Sequence, residues 1–232
     1  MGDEPADALA ALWPRSLADL AVVGACAFFG FTVPVALFDS TVLFTYHPTC
    51  MSMGFGLLMT LGVGAGLKLR ALGPGAERVR ALWVHAATQT LALFLALGGF
   101  VAIYRNKAIH GKPHFTTTHG KLGLLTIVLT VLSPTIGAVA FKRLGLLDAV
   151  PEQARPLVKA VHRRLGLVTW CAGALATSLA LPHPAVDQGS LTSAWQVSMF
   201  VMCAGVAFWH FTEPKGARRD GFAMLDTKDS QS

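Results

Sequence analysis

Six apolar runs, each long enough to cross a bilayer, take up most of this chain and leave it few folds to choose from. They extend from about Leu17 to Phe38, His47 to Leu67, Ala81 to Tyr104, His119 to Phe141, Ala160 to Leu181 and Leu191 to Phe211. A spanning helix needs about 20 apolar residues. Inside a membrane, the backbone must close its own hydrogen bonds in helices or a closed barrel. Charged residues are only 14% of the 232 and hydrophobic ones 53%, against about 25% charged in an average soluble domain. That leaves too little polar surface to cover a soluble globule, which excludes a cytosolic enzyme domain and a disordered regulator. The expected fold is an all-α membrane protein with six transmembrane helices over residues 17–212. Short tails at 1–16 and 213–232 leave no room for a large extramembrane domain.

The connections differ sharply in charge. With each Lys and Arg assigned to the nearer side, 15 fall with the N-terminus, loops 68–80 and 142–159, and the C-terminus. Four fall on the opposite side: Arg105, Lys107, Lys112 and Lys121. The positive-inside rule then places both termini in the cytosol. The net charge of +6 reads as a topology signal, not a nucleic-acid surface. Trp13, Trp83 and Trp209 are expected at the basic interface and Trp195 at the other, as an aromatic belt. Cys26, Cys50, Cys171 and Cys203 show no CxxC spacing and read as small core hydrophobes. Pro134 is expected to kink the fourth helix. Gly62, Gly64 and Gly66 suit close helix packing or room for a bulky ligand.

His47, His85, His119 and His162 each stand near the N-terminal end of a different run, from the second to the fifth. Successive spans run in opposite directions, so His85 and His162 fall at the basic side and His47 and His119 at the other. An ionisable side chain in a span is costly and tends to face a partner inside the bundle. Neutral imidazole is a good axial ligand for haem iron, and facing helices can supply both axial positions. Two such haems, one per leaflet, would relay electrons. The competing reading of the same histidines is a cofactor-free transporter with His proton relays, although the mid-span polar residues are few: Thr88, Gln89, Thr130, Ser133 and Thr169. His110 and His114 lie beside Lys107 and Lys112 in the loop of the less basic side. That cluster can attract an anion or a chelated metal, and its plainer reading is a solvated loop. His183 reads as a turn residue and His210 as interfacial.

Leu43-Phe44-Thr45-Tyr46-His47-Pro48 resembles the start of the second helix of the cytochrome b561 family. The segment from Gly111 through Lys112, Pro113, His114 and Thr118 to His119 and Gly120 resembles the approach to that family's fourth helix. Trp83-Val84-His85 and Val161-His162 are similar to its ligand positions on the third and fifth helices. The resemblance covers residues 17–212. It implies a four-helix core holding two haems b, with His85 and His162 on the cytosolic haem iron and His47 and His119 on the other. It also implies electron transfer from cytosolic ascorbate or a similar small reductant to ferric chelate or monodehydroascorbate. Gly64-Ala65-Gly66-Leu67-Lys68-Leu69-Arg70 and Thr117-Thr118-His119-Gly120-Lys121 depart from the ascorbate-regenerating members. The Lys-x-His-x-x-Thr-x-His-Gly form from Lys112 to Gly120 is more similar to the cytochrome b561 domain-containing branch of transmembrane ferrireductases.

A basic patch drawn from Lys68, Arg70, Arg78, Arg80, Lys159, Arg163 and Arg164 is expected to dock the reductant, and Lys112 and His114 to receive the acceptor. Arg163 and Lys121 are candidates to pair with haem propionates. Lipid is the expected surroundings, and a homodimer is compatible with the sequence. A haem-binding subunit of a larger redox complex is the further alternative. Plasma membrane and endomembrane are not distinguished.

Overall fold

Apolar runs become helices that outlast their own apolarity. The computed structural model describes residues 16–69, 71–141 and 144–212. It has six long helices: α1 (Leu17–Leu37), α2 (Leu43–Lys68), α3 (Ala76–Ile109), α4 (Thr118–Ala140), α5 (Arg155–Ala180) and α6 (Ser190–Thr212). No strand occurs among the described residues. The expected all-α membrane architecture is present, and the expected boundaries shift where polar residues continue a helix. α3 runs from Ala76 to Ile109 instead of Ala81 to Tyr104, so Arg78 and Lys107 are helical. α2 begins at Leu43 and carries Pro48 within it.

Five of the six helices are long and apolar enough to cross a membrane. The exception is α5, which bears Arg155, Lys159, Arg163 and Arg164 in its first ten residues. It nevertheless has 26 residues. It is bonded to α4 near both ends, His162 to Ser133 and His119 to Ala176, so it reaches the same depths as its neighbour.

The core is two antiparallel hairpins, α2–α3 and α4–α5. In the first, small residues let the backbones approach: a Cβ on Gly99 would stand 2.8 Å from Cys50 Cβ, and one on Gly54 would stand 3.3 Å from the Ala92 carbonyl. Such close approach is the usual basis of helix pairing in lipid. Large apolar side chains such as Val35 (87% exposed) and Phe200 (74%) point away from the bundle, as a lipid-facing surface requires. Cys171 and Cys203 lie on that outer surface, and only Cys26 is fully buried. The reading of all four cysteines as core residues is therefore corrected.

α1 and α6 pair with each other and lean on α2. Ser16 caps α1 by accepting from the Asp19 amide at 3.1 Å, which leaves the Asp19 carboxylate one turn inside the helix. That carboxylate accepts from Trp209 Nε1 at 2.6 Å and pairs with Lys68 Nζ at 3.3 Å. Lys68 also lies over the Trp209 ring. At the other end, Trp195 Nε1 donates to Thr32 Oγ1 at 2.9 Å. Trp209 and Trp195 are thus buried and hydrogen-bonded inside the bundle, which corrects the aromatic-belt expectation for both; a buried indole needs such a partner. Trp83 is exposed, and Trp13 lies outside the described residues. In the α1–α2 loop, the Asp39 side chain accepts from Thr41 Oγ1 at 2.7 Å and Thr41 N at 2.8 Å. Those bonds hold its carboxyl below the usual carboxylate pKa.

Removing one member of a buried ion pair strands the other charge and costs about 3–5 kcal/mol. Lys68 keeps some exposure, so Asp19→Asn should cost about 3 kcal/mol and lower the melting temperature in detergent by roughly 6–10 °C. Asp19→Asn combined with Lys68→Met should recover most of that. A double variant as unstable as the single one would show that the pair is not the cause.

Candidate functional site

Each core helix carries one histidine near its N-terminal end, and the opposite helix of the same hairpin fixes that ring. In α2–α3, His47 Nδ1 donates to the Gly99 carbonyl at 3.0 Å and His85 Nδ1 to the Gly62 carbonyl at 2.7 Å. In α4–α5, His119 Nδ1 donates to the Ala176 carbonyl at 2.9 Å and His162 Nδ1 to the Ser133 carbonyl at 3.0 Å. A carbonyl oxygen can only accept, so each of these bonds requires the proton on Nδ1. Nε2 is then left as the bare lone-pair nitrogen, the arrangement found at metal-bound histidines. Glycines make space for the rings: a Cβ on Gly66 would stand 3.0 Å from His85 Nδ1, and one on Gly137 would stand 2.7 Å from His162 Cε1.

Across the hairpins the rings meet in two pairs. His47 faces His119 with ring centres 6.1 Å apart and planes 73° apart. His85 faces His162 at 6.1 Å and 80°. Two imidazoles on opposite sides of one metal have centres roughly 6.2 Å apart, given a metal–nitrogen bond of about 2.0 Å and about 1.1 Å from nitrogen to ring centre. Both pairs therefore have the spacing of a trans bis-imidazole site. Among the described residues, no group of three or more His, Cys, Asp or Glu gathers for a bare ion. Two protein ligands suffice only where the ligand brings its own equatorial donors, as a porphyrin does.

Beside His47 and His119, a cavity of about 470 Å³ opens between the hairpins. Its walls include Phe44, Phe55, Gly123 and Gly173. At its mouth the loop after α3 folds back. His114 stacks on Tyr104 with ring centres 4.1 Å apart, and Lys107 Nζ donates to the Pro113 carbonyl at 3.2 Å. Both His114 and Lys107 line the cavity, as does His183. Lys112 is exposed on the loop and is not part of the lining. Sequence reasoning names Lys107 in the loop cluster and passes over Tyr104. The spacing carries the signal, because continuing α3 by one turn aims both at the loop.

The cations expected to dock the reductant divide. Lys68 is taken up by Asp19 and Trp209. The Arg78 guanidinium donates to the Leu69 and Leu72 carbonyls at 2.5 and 2.8 Å and closes the α2–α3 loop. Lys159, Arg80, Arg163 and Arg164 are exposed at the basic end. Arg70 lies outside the described residues. Of the other histidines, His110 Nδ1 donates to the Asn106 carbonyl at 2.7 Å. His183 Nδ1 accepts from the Ala185 amide at 3.1 Å, the turn role expected of it. His210 has its Nδ1 buried without a partner.

The family described as "Eukaryotic cytochrome b561" matches residues 46–185, a span that contains all four helix-end histidines and omits α1 and α6. "Transmembrane reductase CYB561D2" of Mus musculus is 33% identical over 160 residues, which cover 66% of this chain and 68% of that protein. The Homo sapiens protein of the same name is 29% identical over 178 residues, covering 75% and 77%. "Plasma membrane ascorbate-dependent reductase CYBRD1" of Mus musculus is 26% identical over 148 residues, covering 58% of this chain and 49% of that protein. A bundle of spanning helices, two facing imidazole pairs and a family match over more than half its length place the chain in the cytochrome b561 family, as an integral membrane oxidoreductase that binds haem b and transfers electrons.

Proposed function

We propose that the chain holds two haems b, one between His47 and His119 and one between His85 and His162. We further propose that it passes electrons from ascorbate or a similar small reductant on the cytosolic, basic side to ferric chelate or monodehydroascorbate on the other. The two imidazole pairs, each tied by Nδ1 and spaced for a shared metal, carry this reading. His47 with His119, and His85 with His162, would hold a haem from both faces; it would supply single-electron exchange there and leave no position for oxygen or substrate. A mouse relative named as an ascorbate-dependent reductase supports the donor.

The chain's own residues supply placement and charge. Lys159 and its exposed basic neighbours raise the local concentration of an anionic reductant. Arg163 and Lys121, each beside a ligand histidine in sequence, are the cations for the haem carboxylates. Lys107, Lys112 and His114 present positive charge and an imidazole where an anionic or chelated acceptor arrives. The mid-span polar side chains are spent locally: Gln89 donates to the Met59 carbonyl, Thr130 to Thr126 and Thr169 to Leu165. Each of these three side chains is tied to a backbone carbonyl and not to another polar side chain.

A pyridine haemochrome assay on fully loaded protein should give two haems per chain. One or fewer would sink the proposal. In ascorbate-loaded proteoliposomes, external ferric chelate should reoxidise His114→Ala and Lys112→Ala severalfold more slowly than wild type, with haem content unchanged. Wild-type rates in both would place the acceptor elsewhere.

A further inference from the structure

The middle of α2 is not α-helical. From Ser52 to Met59 it winds as a π-helix, with α-helix on both sides. Spacing in the four core helices gives this a reason. Each of these helices bears one histidine and one carbonyl that receives another helix's histidine. Fourteen residues separate the two in α3 (His85 to Gly99), in α4 (His119 to Ser133) and in α5 (His162 to Ala176). In α2, from His47 to Gly62, the separation is fifteen. At about 100° per residue, fourteen steps return to within about 40° of the starting face, and a fifteenth swings the far end through roughly another 100°. A π-turn takes up one residue without that swing.

We propose that Ser52–Met59 absorbs one extra residue so that α2 can serve both sites, and that Thr60 and Gln89 are the positioning residues that hold it. A widened turn leaves carbonyls without their usual partners, and side chains collect them here. Thr60 Oγ1 donates to the Phe55 carbonyl at 3.0 Å, and Gln89 Nε2 donates to the Met59 carbonyl at 3.1 Å. Trp170 Nε1 of α5 in turn donates to Thr60 Oγ1 at 2.9 Å. The wide turn is thereby fastened from α2 itself, from α3 and from the other hairpin. No comparable device is needed in α4, whose count is already fourteen.

The test compares two deletions in the full-length, haem-loaded protein, and its readouts rest on the two-haem reading. Wild type that fails to bind two haems defeats that reading by itself, independently of either deletion. Deleting Leu58 brings α2 to fourteen, and both haems should be retained. Deleting Val128, which is half exposed to the outside of α4, takes that helix to thirteen and should cost about half the haem or more. If the Leu58 deletion loses haem as the Val128 deletion does, or fails to accumulate while the Val128 deletion accumulates, the proposal is overturned.

Point variants provide a second route. With the His47 and His119 planes 73° apart, a ferric haem held between them would have two nearly degenerate d-orbitals and would give a strongly anisotropic low-spin EPR signal. Thr60→Val should move the largest g value of that signal, identified as the one lost in His119→Ala, while Thr60→Ser keeps it. In the Leu58 deletion, Thr60→Val should be silent, because a closed α-helix satisfies its own carbonyls. The same shift in both backgrounds, or no shift in either, refutes the role given to Thr60.

Discussion

His85→Ala and His162→Ala will each strip one and the same haem from the purified protein, and His47→Ala and His119→Ala will strip the other. On the proposed reading each pair would share one metal, and removing either ring would leave that metal a single protein ligand. The other pair is bonded to carbonyls at the far ends of the same helices, fourteen or fifteen residues from the histidine each helix carries, or roughly 21 Å along the axis. It should keep its haem. Every single variant should therefore hold about half the wild-type haem. His85→Ala with His162→Ala should look like either alone, since effects within one shared site do not add. His85→Ala with His119→Ala should yield nearly colourless protein. Difference spectra in which the His85 and His119 variants match would contradict the pairing.

Gly137→Val is expected to empty the basic-side site nearly as well as His162→Ala, though it removes no ligand. A Cβ there would stand 2.7, 3.1 and 3.3 Å from Cε1, Nδ1 and Nε2 of His162. The ring must leave its place and, with it, the bond to the Ser133 carbonyl. Losing such an orienting contact typically costs about 10–100-fold in metal affinity, and valine adds bulk beyond the Cβ. The haem held by His47 and His119 should remain. Gly98→Ala is the control, because nothing lies within 4 Å of its Cβ position. If Gly137→Val retains both haems, the close approach at His162 has no part in the site.

Features that depend on counting along the chain are legible in the amino-acid sequence. Apolar length gives the helices, and alternation of direction gives the pairing of histidines, because both follow from position relative to a span's ends. The carbonyl that holds each imidazole depends on how two helices slide past each other, and no local pattern reports that. Asp19 illustrates the difficulty: one carboxylate at the head of an apolar run looks like a surface residue, yet Trp209 and Lys68 close on it. The same closure turns Lys68 from a docking cation into a brace. Arg78 is hidden in the same way, because its loop-closing role depends on where the Leu69 and Leu72 carbonyls lie. The π-turn leaves no local signature. It shows only as one residue too many when α2 is measured against its three counterparts.

The reciprocal bonds inside each hairpin also bear on the order of events during synthesis. Both imidazole–carbonyl bonds of α2–α3 lie within one continuous stretch of chain, and so do both bonds of α4–α5. Each half can close on its own as it leaves the ribosome, with its two rings already set in their tautomers and nothing yet opposite them. The halves also touch directly, with Trp170 Nε1 donating to Thr60 Oγ1 at 2.9 Å, and a flat ligand gripped from both sides would join them at two further places. The prosthetic group is on this view the last structural member to be fitted.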